Sequence, residues 1–190
     1  MKRILCIGDS NTYGYDPRSY FGSRYPKDVR WTGILVLNGY EVVNEGLNGR
    51  TFPRKEDLPA LFTRISELDP LDAIVILLGT NDLLLGKTVE EIGCHATAML
   101  QTICEIVEAS RILLIAPPIL VKGEWVQEEW ILQNSLLLSG VLCKAAVQNR
   151  AHFTDSNDWG VRIAFDGVHF SPEGHQLFAV KLLEILKTIR

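Results

Sequence analysis

Four short blocks of this sequence carry residue types suited to acyl transfer. The first is Gly8-Asp9-Ser10-Asn11-Thr12. A serine in the turn after a strand presents its hydroxyl at the edge of a sheet, but a hydroxyl attacks poorly until a neighbouring base takes its proton. The block Asp166-Gly167-Val168-His169 offers that base. Imidazole exchanges protons near neutral pH. A carboxylate on its other ring nitrogen fixes the tautomer and stabilises the imidazolium. Between these blocks lies Gly79-Thr80-Asn81-Asp82, whose Asn81 amide could donate to an oxyanion. The fourth block is Asn44-Glu45-Gly46-Leu47-Asn48-Gly49. The Gly46 N–H there is a second candidate donor, on a residue that lets substrate approach the backbone.

Each block also has a plainer structural explanation. Asp, Ser and Asn are ordinary turn and cap residues, a histidine before a helix is common, and a Gly-Asn-Gly loop can be only a loop. Taken singly, those explanations are the better ones for the first and fourth blocks. Taken together, a nucleophile (Ser10), a base (His169), an orienting carboxylate (Asp166) and oxyanion donors (Gly46, Asn81) form the set that acyl transfer requires. The set points to a serine ester hydrolase.

These residues need a scaffold, and the apolar pattern supplies one. Residues 3–7, 41–44, 73–78, 112–116 and 151–154 read as short strands. The run Ala-Ile-Val-Ile-Leu-Leu at 73–78 suits a strand buried on both faces. Residues 31–37, 58–68, 88–108, 132–147 and 172–189 read as helices. Leu58, Leu61, Phe62, Ile65 and Leu68 repeat at helical spacing, Thr88 and Glu91 form a capping box, and Ser171-Pro172 is a helix start. Strands alternating with helices predict one doubly wound α/β domain over residues 1–190 with a mostly parallel sheet. Sites in such sheets open at the carboxyl ends of the strands; three of the blocks fall just past strand ends and the Asp166–His169 block just before the last helix.

Composition narrows the partners. The chain has 190 residues, a net charge of −4, 47% hydrophobic and 22% charged residues. That mild acidity argues against a nucleic-acid partner. No apolar stretch is expected to approach the roughly 18 to 20 residues that span a bilayer, so no membrane partner is expected. The basic start Met1-Lys2-Arg3 is followed by only a short apolar run that stops at Gly8, which reads as a first strand rather than a signal peptide. Cys6, Cys94, Cys104 and Cys143 lack metal-type spacing. They are expected to be four reduced, buried thiols of a cytoplasmic protein. Neither a metal nor an organic cofactor is called for.

In this order the four blocks resemble the SGNH (GDSL) hydrolase family, with the resemblance running from Arg3 to His175. Within it the chain is most similar to the bacterial arylesterase and acyltransferase branch. The residues carrying that likeness are Arg3-Ile4-Leu5-Cys6, Arg30-Trp31-Thr32-Gly33, Glu45-Gly46-Leu47 with Arg50-Thr51, Leu78-Gly79-Thr80-Asn81-Asp82, Pro117-Pro118 and Asp166-Gly167-Val168-His169-Phe170. The resemblance implies a flavodoxin-like three-layer α/β/α fold with a parallel sheet of about five strands. It implies Ser10 as nucleophile, His169 as base, Asp166 as its orienter, and an oxyanion hole from the Ser10 N–H, the Gly46 N–H and the Asn81 side chain. The implied activity is cleavage of small-molecule carboxylic esters through an acyl-serine, with transfer to alcohols as a variant. A homo-oligomer is expected from the same branch. The chain departs from the family's namesake at Asn11, where that motif has leucine, and its loops after Arg50 and Pro118 are short for the branch.

Other readings compete. Gly86-Lys87-Thr88 before a helix echoes a phosphate-binding loop, but the upstream glycine is misplaced for that motif. Asp9, Asp166, His169 and His175 are residue types that could hold a metal. A non-catalytic ligand-binding domain could keep the fold. A carbohydrate esterase is the nearest alternative hydrolase. Tyr13, Tyr15, Trp31, Trp125 and Trp159 could line either kind of cleft, or simply pack.

Overall fold

The computed structural model describes residues 1–19 and 21–189. Strands β1 (Arg3–Gly8), β2 (Glu41–Gly46), β3 (Ala73–Leu77), β4 (Ile112–Ala116) and β5 (His152–Asp155) form one five-stranded sheet in the order β2-β1-β3-β4-β5. All four pairings are parallel. This is the flavodoxin-like order.

Both faces of the sheet are covered, which is why its central strands are apolar throughout. Alternate residues feed two cores. Leu5, Ile7, Ile74, Ile76 and Leu114 face helices α3 (Leu58–Leu68), α5 (Val89–Cys104) and α6 (Glu129–Gln148). Ile4, Cys6, Val75, Leu77 and Leu113 face α2 (Trp31–Leu37) and α7 (Pro172–Leu186). Two short helices, α1 (Ser10–Tyr13) and α4 (Thr80–Leu84), sit directly beyond the carboxyl ends of β1 and β3. Strand order reverses between these two neighbours, and there a doubly wound sheet opens its crevice.

Several boundaries differ from the sequence expectation. β2 runs on to Gly46, because Gly46 pairs in register with Gly8. α5 stops at Cys104 rather than at 108: the N–H groups of Ile106 and Val107 both turn back to the Ile103 carbonyl, and Val107 tucks into the core. α6 starts at Glu129, earlier than the expected 132. The Thr88 capping box and the Ser171-Pro172 start are both present.

Two compositional expectations need correction. α6 is 20 residues long and apolar enough to cross a membrane by length and composition. Here it buries Leu138, Leu142, Ala145 and Ala146 against the sheet and α5, while Leu136, Leu137 and Val147 face outward. Of the four free cysteines only Cys6 is buried. Cys94 is exposed, and Cys104 and Cys143 are intermediate, Cys104 packing at the margin of the core.

Candidate active site

β1 ends in a turn so tight that a side chain at Gly8 would meet Thr12 Oγ1 at 2.0 Å and the Leu77 carbonyl at 2.8 Å. Asp9 caps α1, its Oδ1 accepting from the Asn11 N–H at 2.9 Å. Ser10, the first residue of that helix, is left just beyond the end of β1 with 5% of its surface exposed.

The candidate base arrives from the far end of the chain. Asp166 Oδ1 accepts the N–H groups of Val168 and His169, both at 2.9 Å, and so folds the segment into a turn. Its other oxygen lies 2.6 Å from His169 Nδ1, and His169 Nε2 lies 2.8 Å from Ser10 Oγ. Burial would raise the Asp166 carboxyl, but the His169 ring and the two backbone N–H groups outweigh it and hold the group below the usual carboxylate range. An ionised Asp166 only accepts, so Nδ1 carries the proton and Nε2 is left to accept from the serine hydroxyl. The three sequence-predicted residues therefore form one continuous hydrogen-bonded chain.

A second loop packs on this turn. The N–H groups of Val121, Glu124 and Trp125 bond to the carbonyls of Gly167, Phe165 and Asp166. This short ladder sets the Trp125 indole edge-on to His169 at 5.1 Å between centroids, and Tyr15 approaches the same imidazole at 4.6 Å. Of the five aromatic residues proposed as cleft-lining, these two line it. Trp31 is fully buried against Phe178, Trp159 packs on the same ring, and Tyr13 lies under the Arg24 guanidinium.

Gly79-Thr80-Asn81-Asp82 begins α4. Asn81 Nδ2 donates to the Arg50 carbonyl at 3.1 Å, leaving its second N–H available. Asp82, fully buried, accepts the Phe52 N–H at 3.0 Å and pairs with Lys87 Nζ at 2.6 Å. These neighbouring side chains thus pin the segment from Arg50 to Phe52 beside the site. Lys87 belongs to the glycine-lysine-threonine run that echoed a phosphate loop. Its charge is engaged by Asp82, and Thr88 caps α5.

The Gly46 assignment does not fit this geometry. Its N–H donates to Asn44 Oδ1 at 2.8 Å, so it is not free for an oxyanion. Gly46 is a glycine for another reason: a side chain there would meet the Tyr13 nitrogen at 2.1 Å, where α1 crosses the end of β2. The glycine that faces the site is Gly49. Its φ is +75°, a left-handed turn position with open space beside it. Its N–H has no hydrogen-bond partner among the described residues. Ser10, Tyr15, Gly49, Asn81, Trp125 and His169 line one cavity of about 360 Å³. A larger space of about 510 Å³, lined by Leu47, Phe52, Leu61, Ile65 and Met99 among others, lies against α3 and includes neither Ser10 nor His169. The Asp166–His169–Ser10 chain opens into the smaller one.

His175 does not join the site. It is fully buried between the rings of Tyr25 and Phe170, and burial pushes its pKa down to about 3, so it is a neutral core residue. Among the described residues no three His, Cys, Asp or Glu side chains are gathered in a way that could hold a metal ion.

Residues 6–177 match the GDSL-like Lipase/Acylhydrolase family. The chain belongs to that family. No curated protein sequence matches this acylhydrolase significantly. Solved structures do. It is 27% identical to the aryl esterase of M. smegmatis, with a TM-score of 0.82 and full coverage of both chains. It is 25% identical to a carbohydrate acetylesterase from Sinorhizobium meliloti, again with a TM-score of 0.82 and full coverage of both. A mutant acetyl-xylooligosaccharide esterase from Geobacillus is 20% identical over 96% of this chain and 93% of its own, with a TM-score of 0.71, and shares the fold. This GDSL-like acylhydrolase is accordingly a carboxylic ester hydrolase of the SGNH type.

Proposed function

We propose that this acylhydrolase cleaves small carboxylic esters through an acyl-Ser10 intermediate. The supporting observation is the unbroken run from Asp166 through His169 to Ser10 Oγ, ending in a cavity where, besides the Ser10 N–H, the Gly49 N–H and one Asn81 N–H are unspent. His169 Nε2 takes the hydroxyl proton as Ser10 Oγ attacks the ester carbonyl. The imidazolium, stabilised by Asp166, returns that proton to the leaving alkoxide and the acyl group stays on Ser10. Water, or a second alcohol, then gives its proton to His169 and attacks the acyl carbon, and Ser10 leaves with the proton from His169. The negative oxygen formed in each step is met by the Ser10 N–H, the Gly49 N–H and the free N–H of Asn81. Such donors each contribute about 100- to 1,000-fold in rate.

A second reading, deacetylation of sugars, is favoured by Trp125, which is 53% exposed at the mouth of the cavity and could stack on a sugar ring. p-Nitrophenyl esters from acetate to octanoate, offered beside acetylated xylose oligomers, separate the two. Wild type is expected to turn over acetate, and Ser10→Ala none of the substrates. Equal activity in both proteins would remove Ser10 from the mechanism. Turnover of the sugar acetates alone would favour the second reading.

A further inference from the structure

We propose that Asn11 is a positioning residue: its side-chain amide grips the backbone on both sides of His169 and so holds the base on Ser10. This rests on the reading of Ser10 and His169 as nucleophile and base.

Those two side chains come from segments 159 residues apart. Asp166 fixes the imidazole relative to its own turn. It does nothing to fix that turn relative to α1. Asn11 makes this connection. Its Nδ2 donates to the Val168 carbonyl at 3.2 Å, and its Oδ1 accepts the Phe170 N–H at 2.8 Å. The amide thus satisfies the residue before His169 and the residue after it, as a neighbouring strand would. The groups it satisfies are buried, since Val168 is 3% exposed and Phe170 not at all.

The backbone of Asn11 is itself held on both sides. Its N–H is held by Asp9 Oδ1, and its carbonyl accepts the indole N–H of Trp31 at 2.9 Å. Trp31 is fully buried in the core against Phe178 of α7. One residue therefore links the strand end that carries the serine, the core, and the turn that carries the base. A leucine of similar bulk could fill the space but make neither side-chain bond. Side-chain truncation or replacement need not unfold this turn, because Asp166 builds it independently.

Misplacing a catalytic group by about 1 Å can cost about 100-fold in rate. Asn11→Leu removes both bonds. Asn11→Asp keeps the acceptor for Phe170 but presents an oxygen to the Val168 carbonyl. Both variants are compared with wild type in thermal unfolding, in kcat and KM on p-nitrophenyl acetate, and in the rate at which a fluorophosphonate probe labels Ser10. Each folded variant is expected to lose about 10- to 100-fold in kcat and in labelling rate, with KM within about threefold of wild type. A lowered melting temperature with kcat and labelling preserved per folded molecule would overturn the proposal and leave Asn11 a stabilising residue only. Should the leucine variant fail to fold, the aspartate variant decides by the same criterion. A wild type inert to both ester and probe would instead overturn the underlying serine-hydrolase reading.

Discussion

Asp9 is buried beside the nucleophile, and removing its charge gives a prediction with a definite sign. The residue is 2% exposed, and burial pushes its carboxyl up from the ordinary 3.8 to about 6. The Asn11 N–H and His169 pull it down, and Asp82 adds to the rise. The folded chain therefore keeps this proton to higher pH than the unfolded chain does. Between those two values folding takes up a proton, so stability falls as pH rises through the window and the deficit is complete above it. A difference of about two pKa units corresponds to ~3 kcal/mol at neutral pH. Asn at this position keeps the oxygen that caps α1 and is as good an N-cap, but it never ionises. Asp9→Asn should be more stable than wild type by ~3 kcal/mol near pH 7.5, with the gain shrinking to under ~1 kcal/mol near pH 4. Urea titrations of both proteins across that range measure the difference, in which the titrating groups not coupled to Asp9 cancel. A gain that is constant with pH, or a loss at neutral pH, would refute the account of Asp9 as an ionised and poorly solvated group.

The other substitutions probe separate parts of the site. Asn81→Ala should lower kcat about 100- to 1,000-fold with a modest change in KM, and an unchanged kcat would exclude its amide from the oxyanion hole. Asp166→Asn should fold but lose on the order of 10⁴-fold in kcat, since the amide favours the wrong imidazole tautomer; activity within tenfold of wild type would show that ring orientation is set elsewhere. Lys87→Met strands the buried Asp82 charge and should cost ~3 to 5 kcal/mol in chemical denaturation. A change under ~1 kcal/mol would mean that Asp82 is solvated or neutralised in some other way.

The sequence by itself determined the parts and the scaffold. Ser10 and Asn81 could be read because each sits in a turn or helix start directly beyond an apolar run, and Asp166 and His169 because they share one short turn before the last helix. The strands could be read because a sheet covered on both faces demands unbroken apolar runs such as 73–78, and local propensity and burial agree there. Tertiary structure decided what local signatures cannot carry. Gly46 and Gly49 lie in one block and look interchangeable in a string of letters. Register with Gly8 and the approach of α1 spend the first on packing, while the second faces the cavity. Trp31 and Trp125 are equally aromatic, yet one fills the core and the other flanks the base, because only the second stands on the loop that ladders onto Asp166. Asn11 reads as an ordinary turn residue until its amide is seen to grip Val168 and Phe170 from the opposite end of the chain. Asp82 reads as the end of a turn until Phe52 and Lys87 close on it. Local pattern reports a residue's own turn or strand, whereas these roles depend mostly on partners 30 to 159 positions away, which only the packed chain brings within reach.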